Sequence, residues 1–365
     1  MSKSLAVIVL AAGQGTRMKS DKAKVLHEVG GRPMIAHVLD QVAPLRPAKA
    51  VCVIGHQADA VREAVEADPP KYEVDFAVQK QRLGTGHAVA QTKAALRGFD
   101  GPVLILSGDV PLLRPETIKR ALAEHNKGKY TLTALSFFAG DPTGYGRILR
   151  DASGDFCGIV EHRDATPEQR DIDEVNGGIY LVDAKTLFRL LGKVQNDNDQ
   201  GEYYLTDIVG LAQGEGLRLS AVPLEDEAEA MGVNSRVELA QAEDVLRERI
   251  LLRHMRAGVT IVDPSATYVD AHTAIGADTV LHPGATLRGR CKIGAECVIE
   301  NGAILTDCVL GAGVHVEPYA VLENVRLKPG ETVEAFLRLK NPAALAKVSR
   351  KAVKSGKRRV SRARR

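Results

Sequence analysis

Within its first 27 residues the chain carries Ala11-Ala12-Gly13-Gln14-Gly15-Thr16-Arg17, followed by Lys19 and Lys24. Small residues let a backbone turn tightly and approach a ligand, and N–H groups exposed in such a turn form a nest for phosphate oxygens. Arg17, Lys19 and Lys24 place positive charge beside it. The chemistry this suggests is polyphosphate binding. Two commoner glycine motifs fail at one residue. A Walker A loop needs glycine at Met18, ahead of Lys19-Ser20, and a dinucleotide fingerprint needs its third glycine there too. A second candidate is Ser107-Gly108-Asp109, where a carboxylate after an apolar run suits a Mg²⁺ ligand facing a nucleotide. Aspartate at such a place also simply caps turns. Gln79 and Leu83-Gly84-Thr85-Gly86-His87 make a third. They offer backbone donors and an amide able to pair edge to edge with a ring such as uracil, although Gln79 alone also reads as a solvated loop residue.

These residues need a scaffold that presents strand ends. Leu5–Leu10 is a short apolar run of the kind a strand buried on both faces shows. Residues 51–55, 74–78 and 103–106 repeat the pattern, with helical spacing over 32–42, 59–67 and 87–96. The alternation predicts a parallel α/β sheet with its sites at strand carboxyl ends. Further on, Ser235 and Glu238 form a capping box, predicting a helix from Arg236 to about Arg256 with Gly258 as its stop.

Beyond that helix an apolar residue recurs every six positions: Val269, Ile275, Leu281, Leu287, Ile293, Ile299 and Leu305. After a five-residue step the period resumes at Leu310, Val316 and Leu322. Period six belongs to neither an amphipathic helix nor an alternating strand; it is the hexapeptide signature of a left-handed parallel β-helix. Ten such positions predict little more than three coils.

The 365 residues are long enough for two or three domains and, at 44% hydrophobic and 26% charged, belong to an ordinary soluble class. Tryptophan is absent and aromatics make up 4%, which disfavours stacking platforms for nucleic acid. The net charge is +3, yet residues 340–365 hold eleven Lys or Arg and no acid, leaving −8 on the rest. That end reads as a solvated, disordered basic tail. Five cysteines without a Cys-x-x-Cys read as reduced, buried thiols. No apolar run approaches a membrane span, so a cytoplasmic protein without membrane partners is expected.

Leu-Ala-Ala-Gly-Gln-Gly-Thr-Arg-Met with Lys24-Val25-Leu26-His27, Leu83–His87 and Gly108-Asp109-Val110-Pro111-Leu112 together resemble sugar-1-phosphate nucleotidyltransferases. More closely, the chain is similar to the N-acetylglucosamine-1-phosphate uridyltransferase (GlmU) family over roughly residues 5–330. The resemblance implies Mg²⁺-dependent uridylyl transfer from UTP to N-acetylglucosamine 1-phosphate. Arg17 and Lys24 would be catalytic, and Asp109 with Asn234 would hold the metal. Leu10, Ala11, Ala12, Gly13, Gln79, Gly84, Thr85, Ser107, Gly108, Gly146, Glu161, Asn176 and Asn234 would contact substrates, with Tyr204 and Thr206 near the acetamido group. Three departures stand out. Ala23 replaces the usual proline and would loosen the loop presenting Lys24; Ser107 stands where tyrosine is usual, and Gly177 where threonine is.

The implied organisation is a Rossmann-like nucleotidyltransferase domain over 1–232, a linker helix over 233–257, a short left-handed β-helix over 258–330 and the basic tail over 331–365. The repeat fades near Pro329, short of the family's length. The acetyl-CoA contacts of bifunctional members are therefore expected to be missing, and the coil to serve as a homotrimer interface. His272, His282 and His315 match no catalytic motif and read as solvent-facing. The rival readings are a nucleotidyltransferase for another sugar 1-phosphate, a hexapeptide acyltransferase, and a non-catalytic nucleotide sensor or polyanion scaffold.

Overall fold

The computed structural model of the protein describes residues 4–198 and 200–340. The basic segment from residue 341 onward lies outside them. The chain divides into two compact units, one of residues up to Val29 with Pro33–Ala242, the other of Gly30–Arg32 with residues from Glu243 onward.

The first unit is built on nine strands: β1 (Ala6–Ala11), β2 (Lys49–Ile54), β3 (Asp75–Val78), β4 (Pro102–Ser107), β5 (Leu132–Phe138), β6 (Arg147–Arg150), β7 (Phe156–Val160), β8 (Glu174–Asp183) and β9 (Leu219–Pro223). Their order is β9-β5-β8-β4-β1-β2-β3, with β6 on β8 and β7 on β6. The apolar runs have a direct cause. Val7 and Val9 pack into one buried cluster with Cys52 and Ile54. Ala6 and Ile8 pack into another with Val51 and Val53. Both faces of β1 and β2 are covered, so no polar alternation is possible.

β1 pairs in parallel with β2 and β4, and β2 with β3. The wholly parallel expectation fails beyond β4, because β8 runs antiparallel to both β4 and β5. The chain reaches β8 through the β6–β7 antiparallel pair, which reverses its direction. The helix expected over 87–96 also differs: an α-helix covers Thr85–Ala90, then tightens into a 3₁₀ turn at Gln91–Lys93.

In the second unit, fourteen short strands between Thr260 and Lys340 form three parallel sheets of five, five and four strands. This is a left-handed parallel β-helix. Its inward columns are Ile261-Leu281-Ile299-Val316-Val333, Val269-Leu287-Leu305-Leu322-Leu339 and Ile275-Ile293-Leu310-Leu327, each residue in register with the next. The coil runs to Lys340, ten residues beyond the expected boundary at 330, and makes more than four turns rather than little more than three. Counting by six missed the first rung because the 3₁₀ turn Pro264–Ala266 lengthens the step from Ile261 to Val269. It lost the last rungs at a second five-residue step, Leu322 to Leu327. His282 and His315 are half-buried, with Nε2 atoms 3.8 and 3.2 Å from Glu300 carboxylate oxygens. All five cysteines are free thiols; Cys52, Cys291, Cys297 and Cys308 are buried.

Candidate active site

β1 and β4 lie side by side, so their carboxyl ends deliver the phosphate-loop and aspartate segments to one place. Gly15 sits at φ +68°, and a Cβ there would fall 2.5 Å from Lys24 Cβ, so only glycine fits. Met18, the residue that excluded both commoner motifs, is fully buried and donates its backbone N–H to Gly15 O at 2.9 Å. It anchors the loop from below. Gly108 N–H donates to Leu10 O at 2.8 Å, tying the two segments together.

The decisive geometry is at Lys24. Its Nζ donates to Asp109 Oδ2, and to Asn234 Oδ1 at 2.9 Å. Asp109 is buried, and its other oxygen accepts from Ser107 Oγ at 2.5 Å. Asn234 Nδ2 donates to Gly232 O at 2.9 Å, which fixes the amide with its oxygen toward the ammonium. The Asn234 and Ser235 N–H groups both donate to Glu238 Oε2 at 2.6 Å, the capping arrangement at the start of the helix Arg236–Arg256. Three residues from distant parts of the chain thus gather two hard oxygens around one positive charge.

Leu10, Ala11, Ala12, Gly13, Lys24, Gln79, Gly84, Thr85, Ser107 and Asp109 line a single cleft of about 310 Å³. Arg82 and Glu202 line it as well. They were missed in the sequence because nothing in their spacing marks them, although Arg82 directly precedes Leu83–His87. Arg82 Nη1 donates to Gln14 Oε1 at 2.5 Å, joining the two glycine loops. Gly84, at φ +101°, lies against Tyr203. Gly86 N–H donates to Tyr203 O at 2.8 Å and Leu205 N–H to Thr85 Oγ1 at 3.0 Å. A larger cavity, near 660 Å³ and lined by Lys93, Arg97, Phe99 and Phe188, lies by the amino end of β4. It has none of these groups.

Arg17, Gly146, Glu161, Asn176 and Asn234 are not among the cleft-lining residues. Arg17 is exposed and has no hydrogen bond or ion pair among the described residues. Gly146 directly before β6, Glu161 directly after β7 and Asn176 on β8 form a separate grouping. Gly146 O accepts from Asn176 N–H at 2.8 Å, and Glu161 Oε1 accepts from Thr206 Oγ1 at 3.0 Å. Asn176 Nδ2 donates to Tyr180 Oη at 2.6 Å. Burial pushes the Glu161 carboxyl up from its ordinary range. Neighbouring Asp207 is pushed up to about 6 by burial and by the Glu161, Asp197 and Asp164 charges. The loop presenting Lys24 is not loosened by Ala23. Its φ of −54° is one that proline would share, and its N–H, which proline lacks, donates to Gln57 Oε1 at 2.8 Å. Gln57 Nε2 in turn donates to Asp21 O at 2.5 Å.

Residues 7–169 match the MobA-like NTP transferase domain, and residues 272–307 the bacterial transferase hexapeptide of six repeats. The chain is 48% identical over 337 residues to the Bifunctional protein GlmU of Anaeromyxobacter dehalogenans, covering 92% of this chain and 68% of the relative. The chain belongs to the GlmU family. The protein of the same name from Geobacter metallireducens is 49% identical over 306 residues, 84% of this chain and 64% of the relative. That from Listeria monocytogenes is 46% identical over 316 residues, 87% and 68%. The chain therefore spans about two thirds of the length of these GlmU relatives. Among the described residues no helix is long and apolar enough to cross a membrane. None of their His, Cys, Asp and Glu side chains gather in threes to hold a metal alone.

Proposed function

We propose that this chain transfers the uridylyl group of UTP to N-acetylglucosamine 1-phosphate, releasing pyrophosphate. The observation that carries the reading is the meeting of Asp109, Asn234 and Lys24 in a site whose cleft is also lined by the Gly13 loop, Gln79 and Gly84. A sugar phosphate oxygen attacks the α-phosphorus. The new P–O bond forms as the bond to the α–β bridging oxygen breaks, and pyrophosphate leaves with that electron pair. Such transfer needs positioning and charge neutralisation rather than a protein nucleophile.

The residues divide that work. The Leu10–Gly13 backbone cradles phosphates, Lys24 holds their oxygens, and exposed Arg17, without a hydrogen bond or ion pair among the described residues, neutralises the departing pyrophosphate. Gln79, Gly84 and Thr85 take the base; Gly146, Glu161, Asn176 and Thr206 take the sugar. The donor set suits Mg²⁺. Asp109 and Asn234 offer one carboxylate and one amide oxygen, leaving positions for phosphates and water. Bound there, the ion would neutralise phosphate charge. We propose no acetyl transfer for residues 258–340; the coil serves assembly, as a trimer, and light scattering on the intact chain tests that. The reading places the protein in the cytoplasm.

The test is pyrophosphate release from UTP and Mg²⁺ across a panel of sugar 1-phosphates, with acetyl-CoA consumption on glucosamine 1-phosphate followed in parallel. Release with the N-acetylglucosamine phosphate alone is expected. Release with another sugar overturns the substrate, acetyl-CoA consumption overturns the single activity, and silence throughout overturns the enzyme.

A further inference from the structure

At the base end of the cleft, one group's orientation is decided outside the cleft. Gln79 is buried and lines it. Gln79 Nε2 lies 3.0 Å from Gly84 O and 3.1 Å from His87 Nδ1. Gln79 Oε1 takes no hydrogen bond among the described residues and is not sealed from solvent. On a side chain that lines the cleft, the carboxamide oxygen is thus the group left for a ligand. Behind it, His87 Nε2 lies 3.1 Å from Gln91 Nε2, which also donates to His87 O at 3.0 Å. Neither His87 nor Gln91 lines the cleft.

A neutral imidazole has one N–H and one lone pair. Two amide nitrogens, each anchored on a backbone carbonyl that only accepts, compete for that lone pair. With the lone pair on Nδ1, Gln79 keeps its N–H groups on Gly84 O and His87, and its oxygen stays toward the cleft. With the lone pair on Nε2, Gln91 is satisfied and the Nδ1–H meets the Gln79 amide nitrogen. Relief then requires that carboxamide to give up Gly84 O, turn over and offer N–H to the cleft.

We propose that the His87 tautomer, set by competition between Gln79 and Gln91, fixes which pyrimidine the cleft selects. The first arrangement accepts from a ring N–H, as uracil N3 provides. The second donates to a ring lone pair, as cytosine N3 provides. His87 and Gln91 are positioning residues acting through Gln79, and the inference rests on the nucleotide-binding reading above.

Calorimetric titration of the full chain with UTP and with CTP, in Mg²⁺, tests it. Gln91→Leu removes the rival donor and leaves the Nδ1 lone pair to Gln79. The preference for UTP over CTP should widen about fivefold, within what one hydrogen bond supplies. His87→Phe leaves the Gln79 carboxamide held by Gly84 O alone, and the preference should narrow by about the same factor. Opposite shifts support the relay; no shift, or shifts in one direction, overturn it. If His87→Phe fails to fold, Gln91→Leu decides alone, an unchanged ratio being fatal. Pyrophosphate release is followed on the same samples. Opposite shifts without wild-type turnover overturn only the catalytic reading, whereas a wild type that binds neither nucleotide overturns both.

Discussion

The Lys24 centre and the lobe proposed for the sugar solve the burial of charge in opposite ways. At the Lys24 centre, buried Asp109 is balanced by a cation brought from 85 residues away, and the same ammonium satisfies an amide oxygen 210 residues away. In the proposed sugar lobe no cation faces Glu161 among the described residues. Its partner is the Thr206 hydroxyl, and burial and the Asp164 charge oppose its ionisation. One region is an assembled ionic centre, whose members lose meaning singly. The other is a set of single hydrogen bonds without an ion pair among the described residues, whose members act more nearly alone. Buried pairs are costly to break because the survivor is left uncompensated, whereas a lost neutral hydrogen bond costs little more than itself.

The largest effect is therefore expected at the ionic centre. Asp109→Asn keeps the shape but removes the charge, and should lower pyrophosphate release by about 10²–10³-fold, the range for losing one preorganised electrostatic group. Steady-state kinetics with UTP check it, and activity within a few-fold of wild type would erase the distinction. In the sugar lobe, Glu161→Gln should raise KM for the sugar phosphate about tenfold, one well-made hydrogen bond's worth, while nucleotide affinity stays put. A matching loss of UTP binding would merge the two regions into one.

Asp207 sharpens the contrast through pH. A carboxyl raised to about 6 stays protonated in the folded chain while the unfolded chain ionises from about 3.8. Stability contributed by this group therefore falls as pH rises through that window. Asp207→Asn should raise stability at pH 7.5 by about 1–2 kcal/mol, the full shift being discounted for solvent screening of a half-exposed group. The advantage should vanish below about pH 4 in denaturation curves. A variant less stable than wild type at pH 7.5 would reverse the sign. The smallest effect belongs to the loop that presents Lys24. Gln57→Ala, which cuts both its bonds to that loop, should cost about 1 kcal/mol and a few-fold in turnover. Melting curves beside kinetics read both.

How much of this the sequence disclosed follows the range of each interaction. The turn glycines Gly15 and Gly84 and the capping box of Ser235 and Glu238 are local, so residue type and spacing sufficed to find them. The strands of the sheet were legible for the same reason, but the antiparallel entry of β8 depends on where a later hairpin turns the chain. Gln57 illustrates the limit. Its role is to hold Ala23 across 34 residues, and no local pattern marks a side chain for that. Arg82 and Glu202 escaped likewise. The coil was readable wherever each side took six residues and across the first five-residue step, and was lost at the eight-residue step and at the second step of five.

The β-helix has a consequence for how the molecule can change length. Val269 stands under Leu287 eighteen residues later, and Leu305 under Leu322 seventeen later, yet both steps keep the column in register. Each floor touches only the floors above and below, and stability in such stacks is a sum of nearest-neighbour terms. A gain or loss of one whole circuit leaves every surviving neighbour with the partners it expects. A gain or loss of half a circuit turns an inward column to face water. The tower can therefore grow or shrink by storeys, and its height is a quantised trait.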